Sequence, residues 1–182
     1  MRIIAGKYKG KILNDFSHSG TRPTSDKARG GIFNTLIYEI IDGVILDLFG
    51  GTGAMGIEAE SRGAKKVYIV DKSLDSIKNI KDNCKKCMTQ NVEVIKSDYI
   101  EALKYFKKLK LKFDVIFIDP PYKEEFAKTA TKLIMDYQLL NENGVICYEH
   151  NENNFVNDDR LIIEKERKYG IAYVTYYKAV EG

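Results

Sequence analysis

The sequence predicts an α/β fold of the doubly wound class, with a mostly parallel seven-stranded sheet and one antiparallel strand at its edge. Three observations predict it. After Gly43, short apolar runs rich in Val and Ile alternate with longer amphipathic segments, the pattern of parallel strands covered on both faces by crossover helices. The turn that joins the first of these runs to its helix is rich in glycine, Gly50-Gly51-Thr52-Gly53. The last two runs are separated only by Lys168-Tyr169-Gly170, which suits a hairpin and leaves no room for a crossover.

In chain order, Ile3–Leu13 reads as a short hairpin with glycine-containing turns at Gly6 and Gly10. Arg22-Pro23-Thr24-Ser25-Asp26 supplies a loop and a helix N-cap. Ile32, Phe33, Leu36, Ile37, Ile40 and Ile41 then fall on one face of a single amphipathic helix. Strands are predicted at Val44–Leu48, Lys66–Val70, Val92–Lys96, Phe113–Ile118 and Val145–Tyr148, and helices at Ala54–Arg62, Ser73–Met88, Tyr99–Lys108 and Glu124–Tyr137. Arg160–Glu166 and Ile171–Tyr177 form the closing hairpin. The 182 residues, 44% of them hydrophobic, fit one domain with a sizeable core. Within it, residues 1–42 form a basic hairpin-and-helix extension and residues 43–182 the Rossmann-like core.

Composition narrows the partners. No run of eighteen apolar residues appears, which excludes a transmembrane helix. The basic N-terminus has no apolar signal-peptide core, so a cytoplasmic location is expected. Residues 1–38 carry seven Lys/Arg against two Asp, a local balance of +5 in a chain of net charge +3. Such an asymmetry suits a polyanion, since each neutralised phosphate releases counterions, although a solvated surface stretch would look the same. Arg2, Lys7, Lys9, Lys11, Arg22, Thr24, Lys27 and Arg29 are the candidate contacts to such a polyanion.

The glycine turn is the first chemical motif. Gly51, Gly53 and Gly56 fit G-x-G-x-x-G, in which missing side chains let backbone approach a ligand at a helix N-terminus. Asp71, ending the second strand, is placed to accept from ribose hydroxyls. These features suit a dinucleotide and S-adenosylmethionine equally, and the motif alone is weak. Two further acids favour the second ligand. Asp47 precedes the glycine turn, where a carboxylate meets a methionyl ammonium, and Asp98 follows the third strand, where it can accept from an adenine amine. Phe49, Lys72 and Tyr99 flank these positions and complete the cofactor set.

Phe113–Tyr122 is the most informative stretch: an apolar strand that ends in Asp119-Pro120-Pro121-Tyr122. The prolines fix two φ angles and remove two donors, leaving carbonyls free to face a cleft. Asp119 and the Pro120 carbonyl can then accept from one NH₂ group while Tyr122 stacks on a base, a contact typically worth ~1–3 kcal/mol. An exocyclic amine is a poor nucleophile because its lone pair is delocalised into the ring. Two acceptors on its hydrogens favour a pyramidal nitrogen and stabilise the charge that grows on it as it attacks a sulfonium methyl.

Asp119-Pro120-Pro121-Tyr122 resembles the D/N-P-P-Y/F motif of S-adenosylmethionine-dependent amino-methyltransferases, and the glycine turn resembles their first motif. The closer resemblance rests on Met1–Leu13, Arg22–Arg29 with Ile32-Phe33-Asn34, and Asp47–Gly63 followed by Ala64. Together these resemble the RsmD family, whose members methylate N2 of a guanine in 16S ribosomal RNA. The resemblance runs from residue 1 to about 178 and implies S-adenosylmethionine as cofactor and the 16S RNA or assembling 30S subunit as partner. It also implies cofactor contacts from Asp47, Gly51, Gly53, Asp71 and Asp98 and catalytic roles for Asp119 and Tyr122; oligomeric state is open, with a monomer the default expectation. Arg22–Arg29 would frame the active site and touch RNA. This chain departs from the family at Gly51-Thr52 and at Glu60, which interrupts a usually apolar helix.

Other residues carry less. Cys84 and Cys87 form C-x-x-C inside a predicted helix beside Leu74, Ile77, Ile80 and Met88, which suits a core thiol pair better than a metal or redox site. With His18 and His150 as the only histidines, no metal is expected. Glu149 and His150, at a strand C-terminal end, could border the cleft. The Lys104–Lys112 cluster ranks below the N-terminal segment as an RNA contact. Rival readings are methylation of DNA adenine or of a protein glutamine amide, a nicotinamide-dependent oxidoreductase, and a non-catalytic RNA-binding protein. The oxidoreductase leaves Asp119–Tyr122 unexplained, and the intact motifs count against the last.

Overall fold

The computed structural model describes residues 1–15, 25–120, 124–151 and 154–180. Seven strands, β1 Val44–Asp47, β2 Lys66–Asp71, β3 Val92–Lys96, β4 Phe113–Ile118, β5 Leu140–His150, β6 Leu161–Tyr169 and β7 Ala172–Ala179, form one sheet. Its order is β3-β2-β1-β4-β5-β7-β6. The first five are mutually parallel. β7 is the antiparallel strand at the far margin, held between β5 and the outermost strand β6.

Strand alternation divides the core into two layers. Ile45, Val67, Ile69, Val115, Phe117, Val145, Cys147, Val174 and Tyr176 face one side. There they meet α1 (Asp26–Thr35), α2 (Ile37–Ile40), α3 (Ala54–Ser61) and α4 (Leu74–Cys87) together with the N-terminal segment. Leu46, Val70, Ile116, Ile118, Ile146, Tyr148 and Tyr177 face the other side, against α5 (Tyr99–Lys108) and α6 (Glu124–Asp136). β1 leads outward to β2 and β3, whereas the chain re-enters at β4 on β1's other flank. That reversal opens a crevice between β1 and β4 at their C-terminal ends, where open α/β sheets bind ligands.

Most elements lie where the sequence places them; three differ. The single helix expected over Ile32–Ile41 is two, α1 and α2, broken at Leu36 (φ −100°, ψ 18°). Thr35 Oγ1 donates to the Gly31 carbonyl at 3.0 Å, a back-bond that bends helices. The bend leaves Ile37 and Ile41 exposed while Ile40 stays buried. β5 begins at Leu140 instead of Val145, because Asn141 donates to Asp114 across the strands and Gly144 passes close to the Phe113 carbonyl. On α4, Leu74 and Met88 are exposed instead of sharing the core face of Ile77 and Ile80. Cys84 is half-buried and Cys87 buried, and burial pushes the Cys84 thiol up to about 11, which suits an inert pair.

The N-terminal segment makes only one β-bridge of its own, Arg2 with Ile12. Around it, Ile3, Gly10 and Leu13 N–H donate to the Lys11, Ile3 and Met1 carbonyls at 2.9, 2.8 and 2.9 Å, which closes the hairpin, and α3 satisfies part of the remaining backbone. Glu58 accepts from the Ile4 and Ala5 N–H groups at 2.8 and 3.1 Å. Ser61 Oγ accepts from Tyr8 N–H at 2.9 Å and donates to the Ala5 carbonyl at 2.6 Å. At Gly6 (φ +81°) an added Cβ would lie 1.8 Å from the Ser61 carbonyl oxygen, so only glycine permits this approach. Glu60, rather than disturbing the helix, accepts from Gln90 and Asn91 N–H at 2.8 and 2.7 Å and from the Tyr8 hydroxyl at 3.1 Å. Asn83 closes the clamp: its carbonyl oxygen takes Asn14 N–H, and its amide donates to the Asn14 and Thr52 carbonyls.

Glu60→Ala strands the buried Tyr8 hydroxyl and the part-buried Gln90 and Asn91 N–H groups, a buried donor being worth about 1–3 kcal/mol when left unpaired and a partly buried one less. The variant is expected to lose about 3 kcal/mol or more in urea unfolding, while Glu60→Gln, whose carbonyl can still accept, retains most of it. A loss below about 1 kcal/mol for the alanine variant would contradict the role given to this carboxylate.

Candidate active site

Asp47 ends β1, and the chain then turns through Leu48 to Gly53 before α3 begins. The turn is held from beneath. Gly50 N–H donates to the Val70 carbonyl at 2.8 Å and Gly53 N–H to the Gly50 carbonyl at 2.7 Å. A Cβ on Gly50 or Gly56 would lie 2.5 Å from Ile69 side-chain carbons, so these two glycines let the turn and helix close onto β2. Gly51 and Gly53 take positive φ, +55° and +80°. A Cβ on Gly51 would meet nothing within 4 Å, so this glycine borders open space and serves backbone conformation and ligand approach instead of packing.

Asp71, at the end of β2, braces the same turn. Its Oδ2 accepts from Gly51 N–H at 2.9 Å and its Oδ1 from Ser73 N–H at 2.8 Å. Each oxygen keeps a further acceptor site. Asp98 follows β3, exposed, and caps α5 through Ile100 N–H at 2.9 Å. Tyr99 stands beside it, its ring 5.4 Å from Phe49 of the glycine turn and 5.7 Å from Phe126 of α6. The three rings form an aromatic wall between the β1 and β3 exits. Phe126 escapes sequence reasoning, because a lone aromatic near a helix start gives no sign of the ring it will meet. Lys72 is exposed just after β2.

Three carboxyl groups share one face of the sheet near its C-terminal edge, Asp119 and Glu149 at one level and Asp47 two residues below. Asp47 pairs in register with Phe117, and Ile118 with Tyr148. Asp119 and Glu149 therefore follow side by side, on the face already occupied by Val115, Phe117, Val145 and Cys147. Burial lifts the Asp47 carboxyl to about 7. The Asp71 charge raises it further, and the Gly56 N–H, which donates to it at 3.2 Å, opposes the shift. Asp119 is raised well above the ordinary carboxylate value by crowding and by the charges of Glu149 and Asp47. Its side chain is open to solvent at the crevice mouth, so solvent screening trims the crowding contribution and leaves the direction intact. Pro120 is half-buried behind it. Pro121 and Tyr122 lie outside the described residues. His150 does not border the cleft: it faces the opposite layer, bonded to Thr175 Oγ1 at 2.7 Å and stacked on Tyr148 at 4.8 Å.

The basic N-terminal residues part company. Lys27 and Arg2 are exposed, Arg2 against Asp26 of α1. Lys7 and Lys9 are exposed on the hairpin turn beside Ser61, at the end of α3 away from the glycine turn. Two of the expected RNA contacts are corrected. Lys11 donates to the Lys86 and Cys87 carbonyls at 3.2 and 3.0 Å, committing its ammonium to the C-terminus of α4. Arg29 is 1% exposed, bonded to the Arg2 carbonyl and Asp26 and facing Glu58 at 3.9 Å. It is a buried counter-ion for Glu58, out of reach of a phosphate. Arg22 and Thr24, like His18, fall outside the described residues. A separate hollow of about 320 Å³, lined by Tyr38, Glu39, Asp42, Asp114 and Asn143, opens at the foot of the sheet, away from all these groups.

Comparison with known proteins agrees with this geometry. The family model described as Conserved hypothetical protein 95 matches residues 1–178. Bacillus subtilis YlbH is 38% identical over 183 residues, covering 98% of each chain. The ribosomal RNA small subunit methyltransferase D of Haemophilus influenzae is 32% identical over 181 residues, covering 98% of this chain and 93% of that one. Among solved structures, Escherichia coli yhhF superposes with a TM-score of 0.85 at 24% identity, over 98% of this chain and 97% of its own. SMU.776, solved in complex with SAH, matches with a TM-score of 0.71 at 17% identity, over 92% of this chain and 53% of its own.

The raised Asp47 carboxyl has a consequence for stability. An acid whose pKa rises on folding makes the folded state lose stability as pH climbs from the unfolded value of about 4 to the folded value of about 7. Asp47→Asn removes that loss and keeps an acceptor for Gly56 N–H. The variant is expected to gain stability over the parent in urea melts, with a gain larger at pH 8 than at pH 5 by up to about 3 kcal/mol. An equal gain at both pH values, or a loss at pH 8, would show that Asp47 is not held against its ionisation.

Proposed function

The chain belongs to the Conserved hypothetical protein 95 family, the RsmD methyltransferases, and from that premise we propose that it methylates the exocyclic N2 amine of a guanine in 16S ribosomal RNA. At the coarser level it is an S-adenosylmethionine-dependent ribosomal RNA methyltransferase. The observation that carries the finer reading is the meeting of Asp47, on the cofactor strand, and Asp119, on the motif strand, on one face at the switch point.

The site residues suit S-adenosylmethionine. Gly51 leaves open space against the backbone, Asp47 is a buried acid held by backbone N–H groups and raised by the neighbouring Asp71 charge, and Phe49 and Tyr99 offer apolar ring surface beside Asp98. Asp47 would hold the methionyl ammonium, Asp71 the ribose hydroxyls, and Asp98 the adenine amine, with Lys72 at the rim. When bound, this cofactor supplies an electrophilic methyl group on a sulfonium. The chain's own residues do the rest. Asp119 and the Pro120 carbonyl accept the two hydrogens of the amine and aim its lone pair, and Tyr122 stacks on the base. Asp119 then stabilises the positive charge that grows on nitrogen and is placed to take the proton that leaves it. Arg2, Lys7, Lys9 and Lys27, with Arg22 and Thr24, would position the RNA backbone without reading its sequence.

The test is methyl transfer from labelled S-adenosylmethionine to naked small-subunit RNA and to 30S subunits from a strain lacking the modification, followed by nucleoside analysis. Label is expected in N2-methylguanosine, and Asp119→Ala should lower kcat about 10²–10³-fold while cofactor affinity changes little. Label in N6-methyladenosine, or none in either RNA, would overturn the guanine reading and turn attention to DNA and protein amide acceptors.

A further inference from the structure

Asp119 and the Pro120 carbonyl explain how an amine is held, yet every amino-bearing base offers one. The neighbouring strand supplies what they lack. β4 and β5 are parallel, with Phe117 opposite Cys147 and Ile118 opposite Tyr148. Asp119 and Glu149 are the next step of that ladder. Strand parity sends Glu149 to the same face as Val145 and Cys147, which is the face of Val115 and Phe117 that leads to Asp119. Electrostatics agrees with the register: the Glu149 charge raises the Asp119 carboxyl. The buried Cys147 thiol, raised first by burial, is pushed up further by both carboxylates. His150, the next residue, is turned into the opposite layer and bonded to Thr175. Of this exit, Glu149 is the side chain directed to the crevice.

Resting on the guanine reading above, we propose that Glu149 determines base specificity by accepting the guanine N1–H, while Asp119 accepts from the adjacent N2 amine. Guanine alone among the four bases presents a ring N–H beside an exocyclic amine at that edge, with both groups donors. Two carboxylates on adjacent strands form an acceptor pair for it. Adenine sets its amine beside a ring nitrogen that is itself an acceptor, and that nitrogen would face the Glu149 carboxylate unpaired. The site therefore discriminates by a penalty on the wrong base as well as a bond to the right one.

The decisive substrate is 2-aminopurine, which keeps the amine at C2 and has an acceptor at N1. Small-subunit RNA carrying either guanine or 2-aminopurine at the target position is assembled into 30S particles. Each is methylated by the parent protein and by Glu149→Gln. The parent should prefer guanine about 10- to 100-fold in kcat/KM. Glu149→Gln should lower guanine methylation and raise 2-aminopurine methylation, because the amide can donate to N1 through its NH₂ group. S-Adenosylmethionine affinity measured by calorimetry should stay within a few-fold and reports that the variant is folded. Equal rates for the two bases with the parent protein would overturn the role of Glu149 while leaving N2 methylation standing, and that comparison needs no variant. A proportional fall on both bases in Glu149→Gln would also overturn it. Failure of the parent to methylate the guanine particle would overturn both readings together.

Discussion

Everything at the crevice depends on how α3 is buried. The helix carries the glycine turn at its N-terminus and is covered on both sides, by the sheet beneath and the N-terminal segment above, so Ala54 and Gly56 through Ser61 are all buried. A buried carboxylate without partners costs several kcal/mol, and α3 holds two, Glu58 and Glu60. Both are saturated. Glu58 takes two backbone N–H groups and Arg62, with Arg29 facing it, and Glu60 takes two backbone N–H groups and a hydroxyl. Three separate stretches of chain supply these partners: the N-terminal segment and the turn before β3 by hydrogen bonds, and α1 by the Arg29 charge. Satisfying the helix thus fixes all three, and with them the turn through which a ligand is approached. The basic extension is in this sense part of the core.

The crevice obeys the opposite rule. Asp47, Asp71, Asp119 and Glu149 gather at the C-terminal ends of neighbouring strands, and Asp47 and Asp119 are held well above their ordinary pKa values. Where α3 saturates its carboxylates with internal donors, Asp47 and Asp71 accept from backbone N–H groups and still keep acceptor capacity at the crevice. Groups kept from ionising in isolation gain most when a positive group arrives, either a sulfonium and ammonium or the charge that grows on an attacking nitrogen. Interactions that strengthen as charge develops are the ones that speed a reaction.

How much of this could be read from the sequence follows from the range of each interaction. Asp47, Asp71, Asp98 and Asp119 were legible because each follows an apolar strand, and a strand exit fixes which end of the sheet a residue occupies. Glycine at positions 51 and 53 was legible for a similar local reason. Arg29 was not: its charge says nothing of burial, and the partner that buries it, Glu58, lies 29 residues on. The bonds that draw Lys11 to the C-terminus of α4 were hidden for the same cause, its carbonyl partners lying 75 and 76 residues on. The break at Leu36 depends on one hydroxyl of Thr35, invisible to a periodicity that counts only apolar positions. The first half of β5, Leu140 to Gly144, is too polar to announce a strand and is held by Asn141 reaching Asp114.

The charge pattern finally constrains how a polyanion can engage the site. A crevice lined by carboxylates repels phosphates, while the exposed cations Arg2, Lys7, Lys9 and Lys27 stand on the N-terminal segment and α1, outside it. RNA backbone is therefore excluded from the place where the amine must sit. Only a group that carries donors and no negative charge can enter, and in RNA that is a base without its phosphates. On the proposed reading a base would have to leave its stack to reach Asp119, at a cost of a few kcal/mol that is least in a loop or an already unpaired strand. On the proposed reading, Arg2 and Lys27 would hold the backbone, and repulsion from the acidic crevice would leave a splayed base as the part that goes in.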